Sequence, residues 1–171
     1  INNYLNSIYK SGVDYVEIGF RSFGDQSYKG PCAYSSDIFL SSLNIPKKLK
    51  IGVMVNASDL LNHGNKNPTI NIKKLFPSKK SRINFVRIAC HFEEFKKIVE
   101  ISKYLKKNGY IVAFNLMQCS ERSEEEIAQI GEVAAKYPID VLYFADSMGG
   151  MNANQITRII YLLRLNWKKQ L

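Results

Sequence analysis

The chain has 171 residues, of which 46% are apolar and 23% charged, and its formal net charge is +9. This composition predicts one soluble globular domain over residues 1–171, and no apolar run approaches the roughly 20 residues that a transmembrane helix needs. The first residues lack the basic and apolar segments of a signal peptide, and the three cysteines form no CxxC pair. A zinc knuckle and a disulfide framework are therefore disfavoured, and a cytoplasmic location is expected.

The first half of the chain shows a helix, two strands and a region that is harder to interpret. Apolar residues at helical spacing end at Gly12, and strand-like segments follow at 13–20 and 49–56. A short helix is predicted between these strands, over 35–43. Residues 57–82 contain two prolines and many Asn and Lys, which predicts a loop with one short helix near 70–76.

The second half alternates regularly between strands and helices. Strands are predicted at 83–90, 110–117 and 139–146, because these segments are almost continuously apolar, as in strands buried on both faces. One helix is predicted from Phe92 to Leu105. Another helix starts at a capping box of Ser123 and Glu126, and a third starts at Asn152 or Asn154.

This alternation predicts an α/β fold with a parallel sheet, and two architectures fit it. An open doubly wound sheet is one, but no GxGxxG motif follows a strand, which disfavours a dinucleotide-binding sheet. The other is a (β/α)₈ TIM barrel. Because the chain starts with a helix that leads into a strand and ends on a helix, we expect an incomplete barrel that lacks its first strand and its last two.

Polar residues occur at or near the carboxyl end of all five predicted strands, where parallel α/β proteins place their chemistry. They are Glu17 and Arg21, Asn56, Arg87 and His91, Asn115, and Asp146 with Ser147, which Gly149 and Gly150 follow closely. Such groups are costly to bury without partners. The glycines would let an anionic ligand approach the backbone.

Each of these residues also has a purely structural interpretation. Glu17 could pair with Arg21 or Arg87, Asp146 could cap the helix that follows it, and His91 could be a loop or helix-start residue. Asn115 is harder to explain without a ligand or a polar network. His63 lies in an Asn/Gly-rich loop, and no chemical role is expected for it.

Four segments resemble a known family: YVEIGFR (15–21), VRIACH (86–91), FNLMQ (114–118) and YFADSMGGM (143–151). They are similar to the metal-dependent aldolase and acyl-lyase superfamily that includes hydroxymethylglutaryl-CoA lyase, and most of all to 4-hydroxy-2-oxovalerate aldolase-like proteins. The resemblance spans strands two to six of the family's barrel. It implies catalytic roles for Glu17, Arg87, Asn115, Asp146 and Ser147, and we expect substrate binding by Arg21, His91, Gly149 and Gly150.

The family binds Mg²⁺ or Mn²⁺, which polarises a carbonyl while an enolate forms and a carbon–carbon bond breaks or is made. Its main metal ligands lie on the first and seventh strands, which have no counterpart here, so no metal ligand is expected in this chain. The resemblance thus implies part of an aldolase or lyase for a 2-oxo acid or acyl-CoA type substrate, inactive by itself. The alternative is a non-catalytic truncated barrel that acts as an interaction or structural chain, and a homo-oligomer is possible.

The positive charge is not spread evenly along the chain. It occurs before one strand, around another loop and at the tail, at Lys47, Lys48 and Lys50, at Lys73, Lys74, Lys79, Lys80 and Arg82, and at Lys168 and Lys169. Solvent-exposed, lysine-rich loops explain this pattern better than a nucleic-acid site does, because no arginine-rich stretch alternates with aromatic residues. An anionic substrate is a third interpretation. We therefore expect neither a nucleic-acid nor a membrane partner.

Overall fold

The computed structural model describes residues 1–24, 28–77 and 81–171, so the predicted lysine positions 79 and 80 lie outside the described residues. The described strands are β1 (Tyr15–Phe20), β2 (Lys50–Asn56), β3 (Ile83–Cys90), β4 (Ile111–Leu116) and β5 (Val141–Phe144). The described α-helices are α1 (Asn2–Lys10), α2 (Asp37–Ser41), α3 (Ala57–Asn62), α4 (Pro68–Leu75), α5 (Phe92–Ile98), α6 (Ile101–Lys107), α7 (Glu124–Ala135) and α8 (Ala153–Arg164).

The five strands form one sheet in the order β1-β2-β3-β4-β5, and every neighbouring pair is parallel. Strand order follows chain order, as it does in a (β/α)₈ barrel. In the described residues, β1 and β5 do not pair with each other, so the sheet is an open arc. The prediction of an incomplete parallel barrel is confirmed.

The two faces of the sheet differ in burial. Alternate residues such as Val53, Ile88 and Phe114 are fully buried, and the Phe114 ring packs edge-on against Phe95 of α5 with the ring centroids 5.1 Å apart. These residues therefore face the helices. The intervening residues form the opposite, concave face, which we call the inner face.

The inner face is arranged in rows of paired residues. One row consists of Glu17, Gly52, Phe85 and Ile111; the next of Met54, Arg87, Ala113 and Val141; and the last, nearest the carboxyl ends, of Asn56, Ala89, Asn115 and Tyr143. Tyr15 and Tyr143 on this face keep 41% and 40% of their surface exposed. The inner face is thus only partly covered.

Two helices differ from the sequence prediction. Residues 57–62 form α3, which was predicted to be loop, because a six-residue helix with only Ala57 and Leu60 buried shows too little periodicity to be recognised. The predicted single helix from Phe92 to Leu105 is in fact α5 and α6. At the break, the buried Ser102 hydroxyl donates to the Val99 carbonyl at 2.6 Å, a local bond of the kind that competes with helical geometry.

The predicted helix starts of α7 and α8 are confirmed. Ser123 and Glu126 exchange hydrogen bonds at the start of α7, and Asn152 exchanges equivalent bonds with Gln155 at the start of α8. The two helices pack closely at Gly131, where an added Cβ would lie 2.8 Å from the Leu163 carbonyl oxygen.

The end of the chain returns to the edge of the sheet. Trp167 is fully buried, and its Nε1 donates to the Gln170 carbonyl oxygen at 2.9 Å. The same oxygen accepts from the Leu142 amide at 3.0 Å, so Gln170 forms a parallel bridge with Val141. The parallel ladder therefore extends one position beyond β5. Within the described ranges, no helix has the length and apolar character to cross a membrane.

Candidate functional site

Glu17 and Arg87 form a bidentate ion pair on the inner face. Arg87 Nε donates to Oε2 of Glu17 at 2.7 Å, and Nη2 donates to Oε1 at 2.6 Å. The two side chains are only 24% and 28% exposed. Hydrogen bonding to Glu17 and the charge of its carboxylate raise the pKa of Arg87 against the opposing effect of burial. Arg87 is thus held cationic and in a fixed orientation, with Cζ 5.9 Å from the centroid of the Tyr143 ring.

Asn115 lies one row closer to the carboxyl ends, between Ala89 and Tyr143. Its neighbours in the chain, Phe114 and Leu116, are fully buried on the helix side, so Asn115 points to the inner face. The residue is 9% exposed, and its amide atoms are not among the fully buried, unpaired side-chain atoms of the described residues, which are Asn71 Oδ1 and Arg122 Nε. The Asn115 amide therefore reaches the surface of the inner face, where a ligand can contact it.

Arg21 is not brought together with Glu17 or Arg87. Its guanidinium donates to Asp37 of α2 at 2.7 Å and to Ser81, and it lies 4.9 Å from the centroid of the Phe76 ring. Burial acts to raise the pKa of Asp37, but hydrogen bonds from Arg21 and Ser81 and the Arg21 charge outweigh it, so the pKa is lowered. These contacts place Arg21 in an ion pair with Asp37, and its contact with a substrate stays a prediction.

His91 begins α5 directly after β3. Its backbone amide donates to Oε2 of Glu94 at 2.9 Å, which is the bond expected at a helix start. The structural interpretation of His91 as a helix-start residue therefore agrees with its position, and a ligand contact by its ring stays a prediction.

Asp146 follows β5 and organises the loop after it. Its Oδ1 accepts from the Gly150 amide at 3.2 Å, and its Oδ2 accepts from the Met151 amide at 2.8 Å. The interpretation of Asp146 as the cap of the next helix is wrong, because Asn152 caps α8. Ser147, Gly149 and Gly150 are exposed in this loop. Their predicted roles stay untested.

A groove at the carboxyl ends of β1 and β2 was not foreseen from the sequence. Its volume is about 570 Å³, and it is lined by Phe20, Ser22, Phe23, Gly24, Lys29, Ala33, Asn56, Ser58, Asp59, Asn62 and His63. His63, for which no chemical role was predicted, stacks flat on Phe23 with a centroid separation of 3.6 Å. The four-residue spacing of Asp59 and His63 directly after a strand that ends in Asn56 was the available signal.

The described residues do not fit a metal centre by themselves. No group of three His, Cys, Asp or Glu side chains in this part of the chain is arranged to hold a metal ion. Glu17 uses both carboxylate oxygens on Arg87, and Asp146 uses both on backbone amides. Both carboxylates thus already accept hydrogen bonds on each of their oxygens in this arrangement.

No protein-family model matches the chain, and no curated protein matches it in sequence. Among solved structures, the chain is similar to the N-terminal domain of a Bacteroides vulgatus protein described as an aldolase, with a TM-score of 0.74 and 21% identity. That alignment covers 99% of this chain and 56% of the other. The chain is also similar to the HMG-CoA lyase of Brucella melitensis, with a TM-score of 0.66 and 9% identity, over 96% of this chain and 60% of the lyase.

The chain thus spans between half and two thirds of the length of each of these structures. Both matches run over nearly all of its own residues, and both proteins have the barrel that strand order and direction indicate here. The described part of the chain accordingly has the fold of five consecutive strands of a (β/α)₈ barrel.

Proposed function

We propose that this chain is part of a divalent-metal-dependent aldolase or lyase, which breaks or forms a carbon–carbon bond beside the carbonyl of a 2-oxo acid or acyl-CoA type substrate. The single observation that carries the proposal is that the amide of Asn115 lies on the inner face one row from the cation of Arg87, which Glu17 holds in a fixed orientation. The likeness to an aldolase domain and a lyase supports the reaction class.

Arg87 and Asn115 suit the stabilisation of an enolate. A carbon–carbon cleavage next to a carbonyl leaves negative charge on the carbonyl oxygen, and fixed hydrogen-bond donors aimed at that charge lower the barrier. Arg87 is oriented by Glu17 and keeps Nη1 free of partners in the described residues. Asn115 would donate from the adjacent row. Glu17 is then a positioning residue that acts through Arg87.

Among the described residues, no group of three His, Cys, Asp or Glu side chains is arranged to hold Mg²⁺ or Mn²⁺, so we expect the ligands to come from elsewhere in the protein. Calorimetric titration with Mn²⁺ should therefore show binding to the longer protein that includes further barrel strands, and none to residues 1–171. If the longer protein also fails to bind Mn²⁺, the metal-dependent reaction is not its function.

Enolate formation can be measured without knowing the full substrate. In deuterated water and in the presence of Mn²⁺, the longer protein should exchange the methyl protons of pyruvate for deuterium. Proton NMR measures the rate of this exchange. Arg87→Met and Asn115→Leu should each slow this exchange about 100-fold or more, the usual effect of removing one donor to a developing oxyanion. Tyr161→Phe, an exposed change on α8, is the control and should leave the rate unchanged.

A non-catalytic interaction chain is the second candidate, and the exposed inner face favours it. Tyr15 and Tyr143 would be covered if another polypeptide contributed strands against this face. This candidate predicts that a partner is captured while pyruvate exchange is absent in the longer protein.

A further inference from the structure

The groove beside α3 has features that the proposed enolate chemistry does not use. One wall consists of Phe20, Ser22 and Phe23 at and after the end of β1, and the other runs from Asn56, the last residue of β2, along α3 to His63. It opens at the carboxyl end of the sheet, the end where barrel proteins bind their ligands. Its volume of about 570 Å³ lies within the range of small-molecule sites.

His63 is fixed in position by two separate sets of contacts. Its ring stacks on Phe23 with an angle of 2° between the planes. Its carbonyl oxygen accepts from Nδ2 of Asn71 at 2.7 Å, and the same amide nitrogen donates to the Leu60 carbonyl oxygen at 2.8 Å. Asn71 is fully buried. A buried amide therefore holds the end of α3 so that the imidazole borders the groove.

Asp59 lies one helical turn before His63 and also borders the groove. Burial raises the pKa of its carboxyl group, although a hydrogen bond from Asn56 and the charges of Lys29 and His63 act in the opposite direction. Burial thus opposes the charged form of Asp59, and its neighbours favour that form. The position of Asp59 on the groove places its carboxyl group where a ligand can reach it.

The lining of the groove has a balanced charge and mixed hydrogen-bonding character. Lys29 and Asp59 carry opposite charges, and the remaining polar groups are two amides, two hydroxyls and one imidazole. Amides and hydroxyls both donate and accept hydrogen bonds, whereas anion sites are dominated by cationic donors. Phe20 and Phe23 add apolar ring surface. This combination matches a neutral ligand with several adjacent hydroxyl groups and apolar C–H faces.

We propose that the groove between β1 and α3 binds a monosaccharide or similar vicinal polyol. Two neighbouring hydroxyls donate to the Asp59 carboxylate, His63 and Asn56 hydrogen-bond to ligand oxygens, and the C–H face of the ligand packs on Phe20. The proposal goes beyond the enolate chemistry and is independent of it, because Arg87 and Asn115 are not among the residues that line the groove.

The test uses the fact that the chain contains only two histidines, His63 and His91. Residues 1–171 are labelled with ¹⁵N-histidine and titrated separately with D-glucose, D-galactose, D-ribose and D-glucitol. At least one of these probes should shift the His63 imidazole resonances in a saturable manner and leave those of His91 unchanged. His63→Gln and His91→Gln assign the two sets of signals.

Asp59→Asn keeps the size of the side chain and should weaken binding about tenfold, the loss expected for one charge-assisted hydrogen bond. Glu125→Gln on α7 is the matched control and should bind as the unmodified chain does. The proposal is overturned if none of the four probes shifts His63, if Asp59→Asn binds equally well, or if acetate or inorganic phosphate produces the larger response. That last outcome would make the groove an anion site.

Discussion

Asn71 and Asn115 are both buried residues, but only the Asn71 amide donates hydrogen bonds to buried carbonyls, and the effect on stability can be measured. Asn115→Leu should change the free energy of unfolding by less than about 1 kcal/mol, because the Asn115 amide reaches the inner-face surface and the change leaves no buried partner without its hydrogen bond. Asn71→Leu should destabilise it by about 2 kcal/mol or more, because the carbonyls of Leu60 and His63 lose their donor, even though Oδ1 of Asn71 has no partner. Urea denaturation of both variants gives the comparison, and equal destabilisation by the two changes would show that Asn115 is structurally required.

The ion pair of Arg21 and Asp37 should make stability depend on pH in the acid range. The pKa of Asp37 is lowered in the folded chain, so its contribution is fully present above the unfolded value of about 4 and is lost as the pH falls through the folded value. Asp37→Asn should therefore destabilise the chain at pH 7 and much less at pH 3. Thermal unfolding of the original chain and the variant at both pH values tests this. If the difference in Tm between them is the same at pH 7 and pH 3, the pair has no role in acid sensitivity.

At the residue scale, the sequence identified the inner-face positions well and the groove poorly. Arg87 and Asn115 could be found because each is polar within an otherwise apolar strand. The partner of Glu17 could not be decided from the sequence, since either Arg21 or Arg87 could pair with it, and the strand register shifts between Glu17 and Phe20, before Arg21. His63 was passed over because its position depends on Asn71, eight residues away in a loop-like segment.

At the scale of elements, the contact between α7 and α8 gives a sharp prediction. Gly131→Ala would gain about 1 kcal/mol from helix propensity if the helix were isolated. Because the new Cβ would lie 2.8 Å from the Leu163 carbonyl oxygen, we expect net destabilisation. Ala128→Gly, on the same helix, is the control that measures propensity alone. Chemical denaturation shows whether Gly131→Ala raises or lowers the free energy of unfolding. A more stable variant would show that α8 can move away from the new Cβ.

Helix starts were predictable and helix interiors were less so. The capping boxes of α7 and α8 are encoded by residue pairs three positions apart, which are visible without any tertiary information. The break between α5 and α6 involves the buried Ser102 hydroxyl, and burial cannot be read from a serine in an apolar run. The strands were predictable because each is a long apolar run, whereas α3 has only two buried apolar residues, Ala57 and Leu60.

At the scale of the whole molecule, the partly covered inner face should drive association. Exposed aromatic residues on an open sheet favour contact with a second surface. Residues 1–171 should therefore associate as their concentration rises in sedimentation velocity. Replacing both Tyr15 and Tyr143 by Lys should reduce that association. Tyr161→Lys is the control, because Tyr161 is 64% exposed on α8; an equal effect of this change would mean that association does not involve the inner face.

The position of Trp167 gives this molecule a built-in optical probe. It is the only tryptophan of the chain, it is fully buried, and its Nε1 contacts the same Gln170 carbonyl oxygen that extends the ladder beyond β5. Fluorescence emission from one indole therefore reports on the edge of the sheet where a further strand would pair. If a sixth strand or a partner docks there, the change in emission wavelength and quenching will give its rate and affinity without any label.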